Sequence, residues 1–107
     1  MALVEEFNIL LLDRSNRVLA MSNVSKGGVS GTVVDLKIIF AAAIKGRASA
    51  IILAHNHPSG NLSLSQADID ITEKFKQAGE ILDISVLDHL ILSPDGGYYS
   101  FADDLKL

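Results

Sequence analysis

Two histidines and one aspartate carry the clearest chemical signal in this sequence. His55 and His57 stand two positions apart at the end of an apolar run, and Asp68 follows after a loop that contains Pro58 and Gly60. Alternate side chains of a β-strand project to the same side, so we expect the two imidazoles to converge. Neutral imidazole suits zinc, and a catalytic zinc takes three protein ligands and keeps one position for water. The spacing therefore indicates a zinc site.

The third ligand has two candidates, Asp68 and Asp70, and a predicted helix distinguishes them. The segment SQAD is a variant of the capping box with Ser65 as N-cap, and it predicts a helix over 65–82. The predicted apolar stripe of this helix consists of Ile71, Phe75, Ala78 and Leu82. Asp68 shares that stripe and should point at the histidines, whereas Asp70 should face solvent. The alternative role for Asp68 is to stabilise the helix N-terminus, by about 0.3–1 kcal/mol.

The rest of the chain predicts a sheet with two helices in the order ββαβαββ, which is an α/β or α+β class. The run from Ala50 to Ala54 is apolar throughout, which predicts a central strand covered on both faces. The remaining predicted elements are strands over 7–12 and 17–25, a helix from Asp35 to 45, a strand over 84–92, and a Pro-Asp-Gly hairpin to YYSF.

Composition limits the class of protein. The 107 residues suffice for one domain with its own core, and the lack of cysteine excludes a disulfide scaffold and Cys-ligated zinc. It also fits a reducing compartment, so we predict a cytoplasmic protein. The first residues have no basic segment and include two glutamates before the apolar run, so we expect no signal peptide, and no apolar run in the sequence is long enough to cross a membrane. The formal net charge of −4, without a Lys/Arg cluster, predicts that this domain alone does not bind nucleic acid.

The segment HNHPSGNLSLSQAD resembles the JAB/MPN metal motif H-x-H-P-x6-S-x-x-D, with His55, His57, Pro58, Ser65 and Asp68 in the signature positions. The flanking sequence resembles the RadC branch of that superfamily over nearly the whole chain. The resemblance implies a cytidine-deaminase-like fold with a curved mixed sheet flanked by helices. It implies a zinc held by the two histidines and Asp68, with water as fourth ligand. It further implies a metallopeptidase that cleaves peptide or isopeptide bonds, with Ser65 holding the oxyanion.

Catalytic members of the family carry a glutamate general base at the start of the first strand. Glu6 is the best match in this sequence, and Glu5 is one register away. The other glutamates, Glu73 and Glu80, belong to the polar stripe of the second predicted helix. The alternative is that Glu6 merely begins an exposed strand.

Longer RadC-like proteins carry an N-terminal helix-hairpin-helix region, and this chain is expected to be a single domain over 1–107 without it. The expected partner is a peptide or protein substrate, and a homo-oligomer is left open. The competing hypothesis is a non-catalytic MPN-like interaction module associated with DNA repair or recombination. Metal binding and hydrolysis distinguish the two hypotheses.

Asp88 and His89 stand in an otherwise apolar predicted strand. One of them could hydrogen-bond a metal ligand or the substrate. The alternative is a polar residue on the outer face of the sheet. We favour the outer face for His89 and leave Asp88 open.

Overall fold

The computed structural model of the protein describes residues 6–26, 35–57, 59–60, 62, 64–104 and 107. The predicted order ββαβαββ is confirmed. The elements are β1 (Glu6–Leu12), β2 (Val18–Lys26), α1 (Leu36–Lys45), β3 (Ala50–Asn56), α2 (Gln66–Leu82), β4 (Ser85–Leu92) and β5 (Tyr98–Ser100). Asp35 caps α1 as predicted, because its carboxylate accepts the N–H of Lys37 at 2.9 Å. Neither helix in this described part of the chain is both long and apolar enough to cross a membrane.

The five strands form one mixed sheet in the order β2-β1-β3-β4-β5. β1 pairs antiparallel with β2 and β3, β3 pairs parallel with β4, and β4 pairs antiparallel with β5. A parallel pair needs a crossover connection, and α2 supplies it between β3 and β4. The fold is therefore α+β, consistent with the JAB/MPN fold that the resemblance implied. β3 is the central strand, so its end lies in the middle of the sheet.

The hydrophobic core lies against one face of the sheet. Phe7, Ile9 and Leu11 alternate with less buried residues of β1 and therefore project to the same side. They form one cluster with residues of β3 and of both helices, namely Ile51, Leu53, Ile39, Phe40, Ala43 and Phe75. On the opposite face of β3, Ile52 and Ala54 are only half-buried. The prediction that both faces of this strand are covered was wrong, because both helices contribute to the same core.

α2 turns a different stripe toward the sheet from the one predicted. Its buried residues are Asp68, Thr72, Phe75 and Gly79. Ile71 and Ala78 are only partly buried, and Leu82 is 43% exposed, so the prediction that Leu82 faces the core was wrong. Gly79 permits a close approach, since a Cβ there would collide with the carbonyl oxygen of Ile84. Small and polar residues thus bring the helix close to β4.

The hairpin between β4 and β5 follows the predicted Pro-Asp-Gly turn. The N–H of Ser93 donates to the carbonyl of Gly97 at 2.9 Å, and the N–H of Gly97 donates to the Asp95 carboxylate at 2.9 Å. Gly96 has a φ of 89°, in the left-handed region that favours glycine. The tip of the turn is exposed.

Candidate metal centre

The end of β3 places the two histidines on one side of the sheet, as the spacing predicted. His55 lies opposite Phe7 of β1, and the two rings are 5.5 Å apart. His57 follows the last residue of β3, and its N–H donates to the carbonyl of Leu92 on β4 at 2.7 Å. The two imidazole centroids are 4.8 Å apart and meet edge to face. Backbone pairing on both sides of β3 therefore fixes the position of both rings.

Asp68 reaches this pair of rings from the first turn of α2. Its Oδ1 lies 3.4 Å from Nδ1 of His55, and its Oδ2 lies 3.8 Å from Nε2 of His57. Asp68 is 5% exposed and His55 is 8% exposed. Asp70 is exposed instead, and its carboxylate accepts a hydrogen bond from Gln66 at 2.8 Å. The prediction that Asp68 faces the sheet and Asp70 faces solvent is confirmed.

The electrostatics of the cluster favour a charged carboxylate. Burial by itself would raise the pKa of Asp68, but hydrogen bonds from His55 and Ser65 outweigh it and hold that pKa well below its usual range. Asp68 is therefore an anion at neutral pH. The site offers one negative charge and two imidazoles in a nearly dry setting.

This donor set fits a first-row metal ion. One ligand atom from each of His55, His57 and Asp68 can be chosen so that all three lie within 4.8 Å of one another. Tetrahedral zinc with bonds of about 2.1 Å holds its ligand atoms about 3.4 Å apart. The nitrogen–oxygen separations of 3.4 Å to Oδ1 and 3.8 Å to Oδ2 of Asp68 are close to that value. The three residues therefore fit a zinc ion as ligands, with side-chain adjustment to bring one atom of each into the tetrahedral arrangement.

Ser65 stands beside the cluster as the N-cap of α2, and the predicted capping box is present. Its Oγ accepts the N–H of Asp68 at 3.1 Å, and its own N–H donates to Oδ2 of Asp68 at 3.1 Å. The hydroxyl uses a lone pair in this contact, so its proton can still be donated elsewhere. Ser65 is exposed, so that donor can reach a ligand.

Glu6 is the predicted site residue that the structure does not bring to the cluster. It precedes Phe7, whose ring faces His55, so strand alternation directs Glu6 to the other face. Its carboxylate accepts a hydrogen bond from Asn23 at 3.3 Å, and Asn23 lies opposite Asn8 on that same face. Its role as general base stays a prediction. Glu5 and Pro58 lie outside the described residues.

His89 lies in the core, so the prediction that it lies on the outer face was wrong. Its register with Leu53 puts it on the helix side of the sheet, and it is 0% exposed. Its ring stacks on Phe101, with centroids 4.8 Å apart and planes 7° apart, and lies 6.2 Å from the ring of His55. Burial, then the neighbouring His55, lowers the pKa of His89 from 6.5 to about 4. His89 is therefore neutral at physiological pH.

Thr72 is the site neighbour that sequence reasoning missed. Its hydroxyl donates to the carbonyl of Asp68 at 2.7 Å and lies 2.6 Å from Nδ1 of His89. It is 2% exposed. The sequence could have predicted this position, because Thr72 follows Asp68 by four residues and such residues lie on the same face of a helix.

Asp88 has a structural role. Its carboxylate accepts hydrogen bonds from the N–H of His89 at 2.7 Å, the hydroxyl of Ser100 at 2.6 Å and the N–H of Ala102 at 3.1 Å. These contacts fix β5 and the turn after it. Asp88 thus supports the chain that carries Phe101, the ring on which His89 stacks.

The mixed sheet and the helices packed on it define an α+β domain. The cluster of His55, His57 and Asp68 at the end of its central strand is a candidate metal centre. The family is shown by comparison with known sequences: the model of the RadC-like JAB domain matches residues 1–107. The chain belongs to this family.

Its relatives include proteins of several bacteria. A UPF0758 protein of Flavobacterium johnsoniae is 51% identical over 100 residues, which are 94% of this chain and 43% of the relative. A UPF0758 protein of Porphyromonas gingivalis is 47% identical over 100 residues, with 94% and 44% covered. UPF0758 protein tlr1707 of Thermosynechococcus vestitus is 46% identical over 99 residues, with 92% and 39% covered. The chain thus spans less than half the length of these curated relatives.

Proposed function

We propose that this domain binds zinc through His55, His57 and Asp68 and hydrolyses peptide or isopeptide bonds. The observation that carries the proposal is the convergence of three ligand atoms, within 4.8 Å of one another, at the end of the central strand. Zinc bound there would supply a Lewis acid and lower the pKa of a water molecule to near neutrality. Membership of the RadC-like JAB family supports this chemistry.

The chain's own groups divide the remaining work. The Asp68 carboxylate would offset part of the charge of a bound metal, and its capping-box contacts with Ser65 restrict its orientation. The exposed hydroxyl of Ser65 is the donor that we assign to the oxyanion of the attacked carbonyl. Because the N–H of Asp68 occupies only one lone pair of this hydroxyl, capping and oxyanion binding are compatible.

The general base has two candidates from the sequence, Glu6 and Glu5. Glu6 contacts Asn23 on the face opposite the cluster. Glu5 lies outside the described residues and stays the other candidate that the sequence offers.

A non-catalytic interaction module is the second candidate function. The observation that favours it is the position of the Glu6 carboxylate, which lies on the other face of the sheet from the histidines. A domain that binds metal without a nearby base would hold its ligands for stability or for recognition.

The metal site is tested by measuring the zinc content of the purified protein by plasma mass spectrometry. We expect one zinc per chain in the wild type and loss of zinc in His57→Ala and Asp68→Ala. Asp70→Ala is the matched control, since Asp70 lies on the same helix turn but faces solvent. A wild-type protein that stays metal-free after incubation with excess zinc would exclude the proposed zinc-dependent hydrolysis.

A further inference from the structure

We propose that Thr72 and His89 are positioning residues that fix Asp68 for metal binding. The proposal rests on the proposed metal site and adds two residues to it. Asp68 is held on its N-terminal side by Ser65, through the capping box. On its C-terminal side, the Asp68 carbonyl accepts the hydroxyl proton of Thr72 at 2.7 Å, and that hydroxyl lies 2.6 Å from Nδ1 of His89.

A count of protons assigns the state of His89. A threonine hydroxyl has one proton, and Thr72 gives it to the carbonyl of Asp68. The short contact with His89 is a hydrogen bond only if Nδ1 carries a proton and donates it to Oγ1. Neutral His89 is therefore the Nδ1–H tautomer. Its Nε2 is then a buried acceptor with no hydrogen-bond partner among the described residues.

The contact between Thr72 and His89 connects α2 to β4, the strand next to β3. His89 lies on β4 in register with Leu53 of β3, two positions before His55 along that strand. Its ring is fixed by stacking on Phe101 and by contact with Phe7. The imidazole of His89, fixed on β4, thus determines how the first turn of α2 is placed and rotated relative to the sheet. This backbone position in turn determines where the Asp68 side chain points.

A purely apolar contact would hold the helix without burying three polar atoms. Thr72 and His89 are 2% and 0% exposed, and burial of a nitrogen without a partner is unfavourable. The chain nevertheless places a hydroxyl and an imidazole here, one turn from the carboxylate and 6.2 Å from the His55 ring. We infer that this polar contact is present because it orients Asp68.

Three variants test the proposal. Thr72→Val removes the hydroxyl and keeps the shape, and Thr72→Ser restores the hydroxyl. Ser49→Ala, the control, removes a partly buried hydroxyl just before β3, at the end of that strand away from His55. The affinity for Co²⁺, followed by its visible absorption, should fall about tenfold or more in Thr72→Val, return in Thr72→Ser and stay unchanged in Ser49→Ala. Thr72→Val with wild-type affinity and spectrum would overturn the proposal.

A second measurement on the metal-free chain separates this proposal from the metal site itself. Long-range nitrogen–proton NMR correlations should show the Nδ1–H tautomer of His89, and the χ1 couplings of Asp68 should show one rotamer that becomes averaged in Thr72→Val. An Nε2–H tautomer, or an Asp68 rotamer unchanged in Thr72→Val, would overturn the positioning role. If the wild type bound neither Co²⁺ nor zinc, the proposed function would fall, and these couplings would still decide whether Thr72 orients Asp68.

Discussion

Ser65 and Asp68 are joined by two reciprocal hydrogen bonds, each 3.1 Å long, in which each residue's backbone N–H donates to the other's side chain. The carboxylate that faces His55 and His57 is therefore also part of a helix cap. Helix stability and the proposed metal binding would therefore depend on the same side chain. Variants of Asp68 can separate the two contributions.

Asp68→Asn and Asp68→Ala should differ in stability but not in metal binding. Asparagine keeps an oxygen that can accept the N–H of Ser65, whereas alanine loses it, at a cost of about 1 kcal/mol. Both remove the anionic ligand, so both should lose zinc. Urea unfolding of the metal-free variants measures the difference. Equal free energies of unfolding would show that the hydrogen bond from the Ser65 N–H to the side chain at position 68 contributes nothing.

Glu5→Gln and Glu6→Gln should have unequal effects on hydrolysis. If Glu5 is the general base, Glu5→Gln should lower the rate by about 10²–10⁴ while zinc stays bound. Glu6→Gln should remain active, because its carboxylate contacts Asn23 on the other face. The assay is cleavage of a peptide library by the zinc-loaded protein. A large loss in Glu6→Gln alone would return the role to Glu6.

The stability of the metal-free protein should fall as the pH is lowered from 6.5 to about 4 because of His89. Its pKa in the folded state is about 4, below the ordinary value of 6.5, so the unfolded chain binds this proton first as the pH falls. Stability that is fully present above pH 6.5 is thus lost within that window, by up to about 3 kcal/mol.

The measurement for His89 is urea unfolding at several pH values in the presence of a chelator. His89→Phe keeps a ring to stack on Phe101 and removes the titrating group, so its stability should depend less on pH over this window. Parallel pH profiles for the two proteins would contradict the assignment.

Gly79→Ala should destabilise the protein although alanine is the better helix former. Helix propensity alone would favour alanine by about 1 kcal/mol. Here the added Cβ would meet the carbonyl oxygen of Ile84, and overpacking of this kind costs about 1–3 kcal/mol. Thermal unfolding measures the net effect. The control is Ala67→Gly on the exposed side of the same helix, which should show the propensity term alone. A stabilised Gly79→Ala would contradict the close approach.

Periodicity and caps were enough to predict each strand and helix that the structure describes. The period of two along β3 aligned His55 with His57, and the signals around Ser65 began α2 at the correct residue. Asp68 could be predicted to turn inward because one helical turn relates it to the apolar side of α2. These features depend on residues that are close together in the sequence, so they can be predicted from the sequence.

The features that failed depend on neighbours in space. The outer-face prediction for His89 failed because the face of a polar residue in β4 depends on the register with β3, which shifts between Ile51 and Ile52. The stripe of α2 was misjudged because Thr72 is buried by hydrogen bonding and Gly79 by close approach. The position of Glu6 likewise follows from which face of β1 meets His55.

Two parts of α2 are fixed against β4 by different contacts, Thr72 through its hydrogen bond with His89 and Gly79 through its close approach to Val86. Each residue of a helix turns the chain by about 100°. One residue inserted between these contacts would leave Asp68 or Gly79 on the wrong side. The segment between Thr72 and Gly79 should therefore tolerate neither an insertion nor a deletion. The exposed turn at Asp95 and Gly96, in contrast, can accept extra residues without moving the cluster.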